Sequence, residues 1–117
     1  MAFRVEPVIE GYAIPVIIAD SGSLSAAGYL KDRRLVGLLL ATSTEGAVVT
    51  FQVSVDGITY YDLYGPSGEY SITFSDPSAL IVPAVDFMAF PYVKVRTGTS
   101  AAPTTQTGAQ TITLLAA

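Results

Sequence analysis

Cysteine, histidine, tryptophan and asparagine are all absent from this chain of 117 residues. Without cysteine or histidine, it has no disulfide bond, no zinc site built from these residues, no cysteine nucleophile and no serine–histidine catalytic arrangement. The absence of asparagine also excludes N-linked glycosylation. We therefore expect a protein without enzymatic activity, cofactor or metal ion.

Charged residues are scarce as well, at 14% of the chain, whereas a typical soluble domain has roughly 25%. Half of the residues are apolar, and the net charge is −4. A negative net charge argues against a nucleic-acid partner. A surface this poor in charge favours association, so we expect a homo-oligomer or attachment to a larger protein surface.

No targeting or membrane segment is evident in the sequence. The most apolar run, at residues 35–41, is far shorter than the roughly 18–20 residues that a membrane-spanning helix needs. The first residues lack the basic segment and following apolar stretch of a secretory signal. We therefore expect a protein made in the cytoplasm, with no membrane partner.

Short strand-like segments separated by Gly, Pro, Ser and Asp recur along the chain, which predicts an all-β single domain, either a sandwich or a barrel of about eight strands. Residues 1–11 are predicted to form an N-terminal arm and residues 12–117 the domain. Pro15 within the first strand indicates an edge position or a bulge. The apolar run 35–42 is predicted to be a strand, buried on both faces or covered by a partner on one. The predicted strands are 12–18, 35–42, 48–55, 58–64, 70–74, 79–82, 92–96 and 111–115.

The clearest pattern is a β-hairpin around Asp56-Gly57. A two-residue loop would place Asp62 on the apolar face, whereas a three-residue loop with Gly57 in the left-handed conformation pairs Phe51 with Tyr61. Because a buried unpaired carboxylate costs several kcal/mol, the three-residue loop is favoured. In that register Tyr60 and Tyr64 face outward and Tyr61 inward. In the later strand at 92–96, Lys94 and Arg96 are predicted to face outward.

Ten carboxylates are distributed along the chain. Two of them could meet as a glycosidase pair, and several could bind calcium. No D-x-D-x-D spacing is present, so turn and surface roles are favoured.

Two further groups could make contacts. Outward tyrosines can stack on sugars, contact proteins or be structural, and protein contact is favoured over sugar because tryptophan is absent. The run Lys31-Asp32-Arg33-Arg34 is predicted to be a solvated loop or a salt-bridged subunit contact.

The order of these segments resembles a group of small virion proteins of tailed bacteriophages. The matching stretches are IPVII at 14–18, SGSLS at 21–25, RLVG at 34–37, VTFQVSVDGITYYDLY at 49–64, YVKVRTGT at 92–99, Ala102-Pro103 and QTITL at 110–114. Many members of this group resemble β-sandwich capsid decoration (cement) proteins. The resemblance implies an antiparallel, jelly-roll-like β-sandwich bound to the outside of an icosahedral head.

The resemblance implies the major capsid protein as partner, a homotrimer as assembly, and the capsid surface of the virion as location. The alternatives are a tail or baseplate component, or a module that binds host glycans through Tyr60, Tyr64 and Tyr70. The N-terminal segment and the loop 97–110 are candidate contact arms because they lie outside the regular strands. The candidate contact residues are Arg4, Val5, Pro7, Arg33, Arg34, Tyr60, Tyr64 and Pro103.

Overall fold

The computed structural model describes residues 12–41, 43–75, 77–83, 87 and 89–117. The N-terminal arm, and with it Arg4, Val5 and Pro7, lies outside the described residues. The described part contains eleven β-strands: β1 (Tyr12–Ile18), β2 (Gly28–Tyr29), β3 (Leu35–Leu40), β4 (Val48–Ser54), β5 (Tyr61–Asp62), β6 (Tyr64–Gly65), β7 (Gly68–Glu69), β8 (Ser71–Thr73), β9 (Ser78–Ile81), β10 (Tyr92–Thr97) and β11 (Gln110–Ala116).

The strands form two main antiparallel sheets. The first sheet has the order β1-β11-β3-β9, and the second has the order β2-β10-β4-β5, with β8 also paired to β4. Strands β6 and β7 form a separate two-stranded hairpin. The prediction of an all-β, antiparallel domain is confirmed, but the expected count of eight strands and the jelly-roll connectivity are not.

The core lies between the two main sheets and follows from strict alternation along the strands. In the first sheet Val16 pairs with Ile112, which pairs with Leu40. In the second sheet Val93 pairs with Val53, and Val95 pairs with Phe51. All of these side chains are buried. The sheets are in direct contact at Gly28, where a Cβ atom would lie only 2.4 Å from Leu114 Cδ1.

The edge position predicted from Pro15 is confirmed, since β1 is the outermost strand of the first sheet. Pro15 pairs with Thr113 of β11. A proline is tolerated on an edge strand because its missing N–H removes no bond to a second neighbour.

The predicted hairpin register is wrong, because Val53 pairs with Tyr61 and Gln52 with Asp62. The loop is wider than predicted, and Val55 and Tyr61 are 67% and 66% exposed instead of facing the core. The predicted left-handed conformation of Gly57 is confirmed, with φ of 79°.

Side-chain caps explain the wider loop. The Ser54 hydroxyl accepts hydrogen bonds from the amides of Asp56 and Gly57, at 3.2 and 2.9 Å. The Asp56 carboxylate accepts hydrogen bonds from the amides of Ile58 and Thr59, at 2.8 and 3.0 Å. These local bonds replace the ladder bonds that a tight turn would have made.

Candidate functional site

The outward face of the first sheet has no charge. None of the residues in β1, β3, β9 and β11 is Asp, Glu, Lys or Arg. The pairing register places Ile17 beside Thr111, and Pro15 in a row with Thr113, Leu39 and Ala79. We call this surface the neutral face; its members are Ala13, Pro15, Ile17, Leu39, Ala79, Ile81, Thr111, Thr113 and Leu115.

Several large aliphatic groups of the neutral face are open to solvent in the single chain. Ile81 is 87% exposed and Leu39 is 41% exposed. An antiparallel sheet with one solvated face normally alternates apolar and polar residues. Of the two predicted environments for the run 35–42, burial on both faces is therefore wrong for the single chain. Exposed contiguous apolar surface is typical of interaction sites, so this face is suited to binding another protein.

The outward face of the second sheet is built differently, around Arg96. Both terminal nitrogens of its guanidinium donate to Asp62 Oδ1, Nη1 at 3.0 Å and Nη2 at 2.6 Å. Nη2 also donates to Glu69 Oε2 at 3.3 Å. Its Nε donates to the Thr50 hydroxyl at 3.1 Å. Arg96 points outward as predicted, yet it is only 7% exposed because these partners cover it.

The Arg96 cluster also fixes the neighbouring loops. Both carboxylate oxygens of Glu69 accept from the Ser100 amide at 3.1 Å, which joins the β6–β7 hairpin to the loop after β10. Asp62 and Glu69 are thus two carboxylates that do meet in space. Both are bonded to one guanidinium, which is the arrangement of a structural ion cluster.

The loop 97–110, expected to be a contact arm, is held against the domain at its base. The Gln106 side chain is buried and makes two hydrogen bonds to the backbone of Glu45. Its Nε2 donates to the Glu45 carbonyl oxygen at 2.8 Å, and its Oε1 accepts from the Glu45 backbone N–H at 2.9 Å. The Thr107 and Gly108 amides are also capped, by Glu45 and Asp20. Pro103 is exposed and bridges to Gly98. The loop therefore presents Pro103 from a fixed base.

The tyrosines predicted to form one outward group are separated by their surroundings. Tyr64 is exposed, as predicted. Tyr60 is half-buried beneath Lys94, whose Nζ lies 4.3 Å from the ring centroid, and burial raises the pKa of its hydroxyl. Tyr70 packs on Phe51 and Phe87, with centroids 5.9 and 5.6 Å apart, so it is not an available sugar platform.

Arg33 and Arg34 lie at one end of the sandwich, beside aromatic residues that the sequence did not single out. The Arg33 guanidinium is 4.5 Å from the centroid of the Tyr12 ring. An open cleft of about 610 Å³ is lined by Tyr12, Tyr29, Lys31, Asp32 and Arg33. Tyr12 and Tyr29 are far apart in sequence and belong to different sheets, so only the packing of the two sheets against each other brings them together.

The described residues contain no group of three or more potential metal ligands. They also contain no helix long and apolar enough to cross a membrane. Comparison of the chain with protein-family models, with curated proteins and with solved structures finds no match.

Proposed function

We propose that this protein is a non-enzymatic structural component of a tailed-bacteriophage virion, a decoration protein that binds the major capsid protein through its neutral face. The single observation that carries the proposal is the uncharged, exposed outer surface of the first sheet. The sequence resemblance supports the choice of partner. In this proposal the protein forms a homotrimer on the outside of the head.

Docking through this face would remove aliphatic side chains from water. Complete burial of one Ile or Leu side chain stabilises a complex by roughly 1.5–3 kcal/mol. Ile81 and Leu39 offer most and nearly half of their surfaces, respectively, for this burial. No charged group on these strands would have to be desolvated, and desolvation is the main cost of bringing polar surfaces together. A decoration protein that holds neighbouring capsid subunits together needs such aliphatic contacts and a rigid scaffold to present them.

The first test is the location and copy number of the protein in purified virions. A decoration protein is expected on the head in numbers comparable to those of the shell subunit. A reconstruction that places a few copies on the tail or baseplate would overturn the proposal in favour of a tail component.

A matched pair of variants tests the surface itself. Ile81→Lys places a charge on the neutral face, and we expect it to weaken rebinding of the purified protein to heads lacking it by about thirtyfold, because roughly 2 kcal/mol of aliphatic burial is lost. Ile58→Lys is the control, since Ile58 is 83% exposed on the β4–β5 loop, away from this face. Equal cosedimentation of the two variants with heads would contradict the assignment of the neutral face.

A further inference from the structure

The cleft at the end of the sandwich contains a fixed aromatic platform. Tyr29 and Tyr92 are directly paired across β2 and β10, and their rings are stacked with centroids 4.7 Å apart and an interplanar angle of 19°. Tyr92 is in turn in close contact with Gly57, where a Cβ atom would lie 2.9 Å from its Cζ. Tyr29 is therefore held by Tyr92, yet it is half exposed and lines the cleft.

Beside this platform, a strained turn holds cationic side chains at the cleft. The Arg33 amide donates to Leu30 O at 3.0 Å, which closes a tight turn, and Lys31 has a φ of 60° within it. A left-handed conformation is unfavourable for a residue with a Cβ atom, and such strain persists only where the surroundings fix it. Leu30 supplies that fixation, because it is fully buried and its amide donates to Pro91 O at 2.7 Å.

We propose that this cleft binds an acidic saccharide, a sugar unit that carries a carboxylate. The C–H face of a pyranose ring can pack on the exposed side of Tyr29, as apolar surfaces pack on aromatic rings. Lys31 can pair with the carboxylate, and Asp32 can accept a hydrogen bond from a sugar hydroxyl. The cleft combines aromatic rings with charged groups, and its open shape admits an internal unit of a longer glycan.

This inference goes beyond the proposed structural function and does not depend on it. It also differs from the sugar site suggested by the sequence, since Tyr70 is packed on the core and Tyr60 lies beneath Lys94. An acidic sugar is favoured over a neutral one because the exposed cation of Lys31 lines the cleft together with Tyr29. It is favoured over an acidic peptide because one rigid ring presents both a flat apolar face and a carboxylate.

The test is an NMR titration of the purified full chain with trigalacturonic acid and with 3′-sialyllactose, using lactose as the neutral control. We expect at least one acidic probe to shift the amides of residues 29–34 and of Gly57 at millimolar concentrations, and lactose to leave them unchanged. Tyr29→Ala should weaken binding about tenfold, whereas Tyr29→Phe should retain it, because only the ring is needed. Tyr64→Ala removes an exposed tyrosine outside the cleft and should change nothing.

Lys31→Gly provides a second variant whose folding is secure. Glycine removes the cation and also relieves the positive φ, so the domain should be at least as stable while affinity for the acidic probe falls severalfold. Absence of shifts with both acidic probes would overturn the proposal. Equal shifts with lactose or with a tetraglutamate peptide, or shifts unaffected by Tyr29→Ala, would also overturn it.

Discussion

Removal of the Arg96 guanidinium should destabilise the whole outer side of the second sheet. Arg96→Met keeps most of the aliphatic stem within β10 but removes the hydrogen bonds to Asp62, Glu69 and Thr50. Two carboxylates would then face each other without their shared cation. The link from Glu69 to the Ser100 amide would remain, but its charge would be unmatched.

The magnitude follows from how buried each partner is. The side chain of Arg96 is 8% exposed, that of Glu69 14% and that of Asp62 34%. Breaking a buried ion pair from one side costs roughly 3–5 kcal/mol because a charge is left uncompensated. Water around the more exposed Asp62 reduces this penalty. We therefore expect Arg96→Met to lower the free energy of unfolding by about 3 kcal/mol.

The assay is urea unfolding followed by tyrosine fluorescence, which suits a chain with seven tyrosines and no tryptophan. The matched control is Lys94→Met, two residues earlier on the same face of β10, where only a cation–π contact with Tyr60 is lost. That contact contributes about 0.5 kcal/mol. If Arg96→Met costs no more than Lys94→Met, the ion cluster does not stabilise the fold and the reasoning fails.

Two other predictions concern the loops. Hydrogen bonds from the amides of Ile58 and Thr59 and from the Ser54 hydroxyl hold the pKa of Asp56 below its ordinary value of 3.8. The ionised carboxylate therefore stabilises the folded loop fully above pH 3.8, and this stabilisation is lost as the pH falls through the lower pKa of the folded state. NMR shifts of the loop amides should report this loss at acid pH, and Asp56→Asn should remove it. Gly98→Ala should cost about 3 kcal/mol in urea unfolding, because a Cβ atom would lie 2.5 Å from Thr104 N at a φ of 87°. Gly108→Ala, with a φ of 85° and open space around the site, should cost only about 1 kcal/mol, and equal losses in the two variants would exclude the steric explanation.

The sequence was sufficient for the strands because their alternation is a local property. The pattern of Val49, Phe51 and Val53 predicts a buried face, and all three side chains are buried in the core. The same alternation continues to Val55 in the sequence, but the strand does not, because Ser54 and Asp56 cap the loop and end the ladder before Val55. Apolar periodicity carries no information about such side-chain caps.

The surfaces were less predictable because they depend on contacts between distant segments. Alternation places Arg96 on the outer side of β10 correctly, but its burial depends on Asp62 and Glu69, which other strands bring to it. The charge-free run 35–42 indicated one strand of the neutral face from the sequence alone. Its full extent depends on the order β1-β11-β3-β9, which joins four uncharged strands that are separated in sequence.

Ile81 of the neutral face and Tyr29 of the cleft lie on opposite outer sides of the sandwich, so both proposed contacts can be made at once. Tyr92 precedes the inward-facing Val93 in β10, which places its ring on the outer side of the second sheet together with its partner Tyr29. Ile81 lies on the outer side of the first sheet, and the core separates the two. A protein docked through Ile81 would therefore point Tyr29 away from its support. It follows that Ile81→Lys should impair head binding without affecting saccharide binding, and Tyr29→Ala should do the reverse.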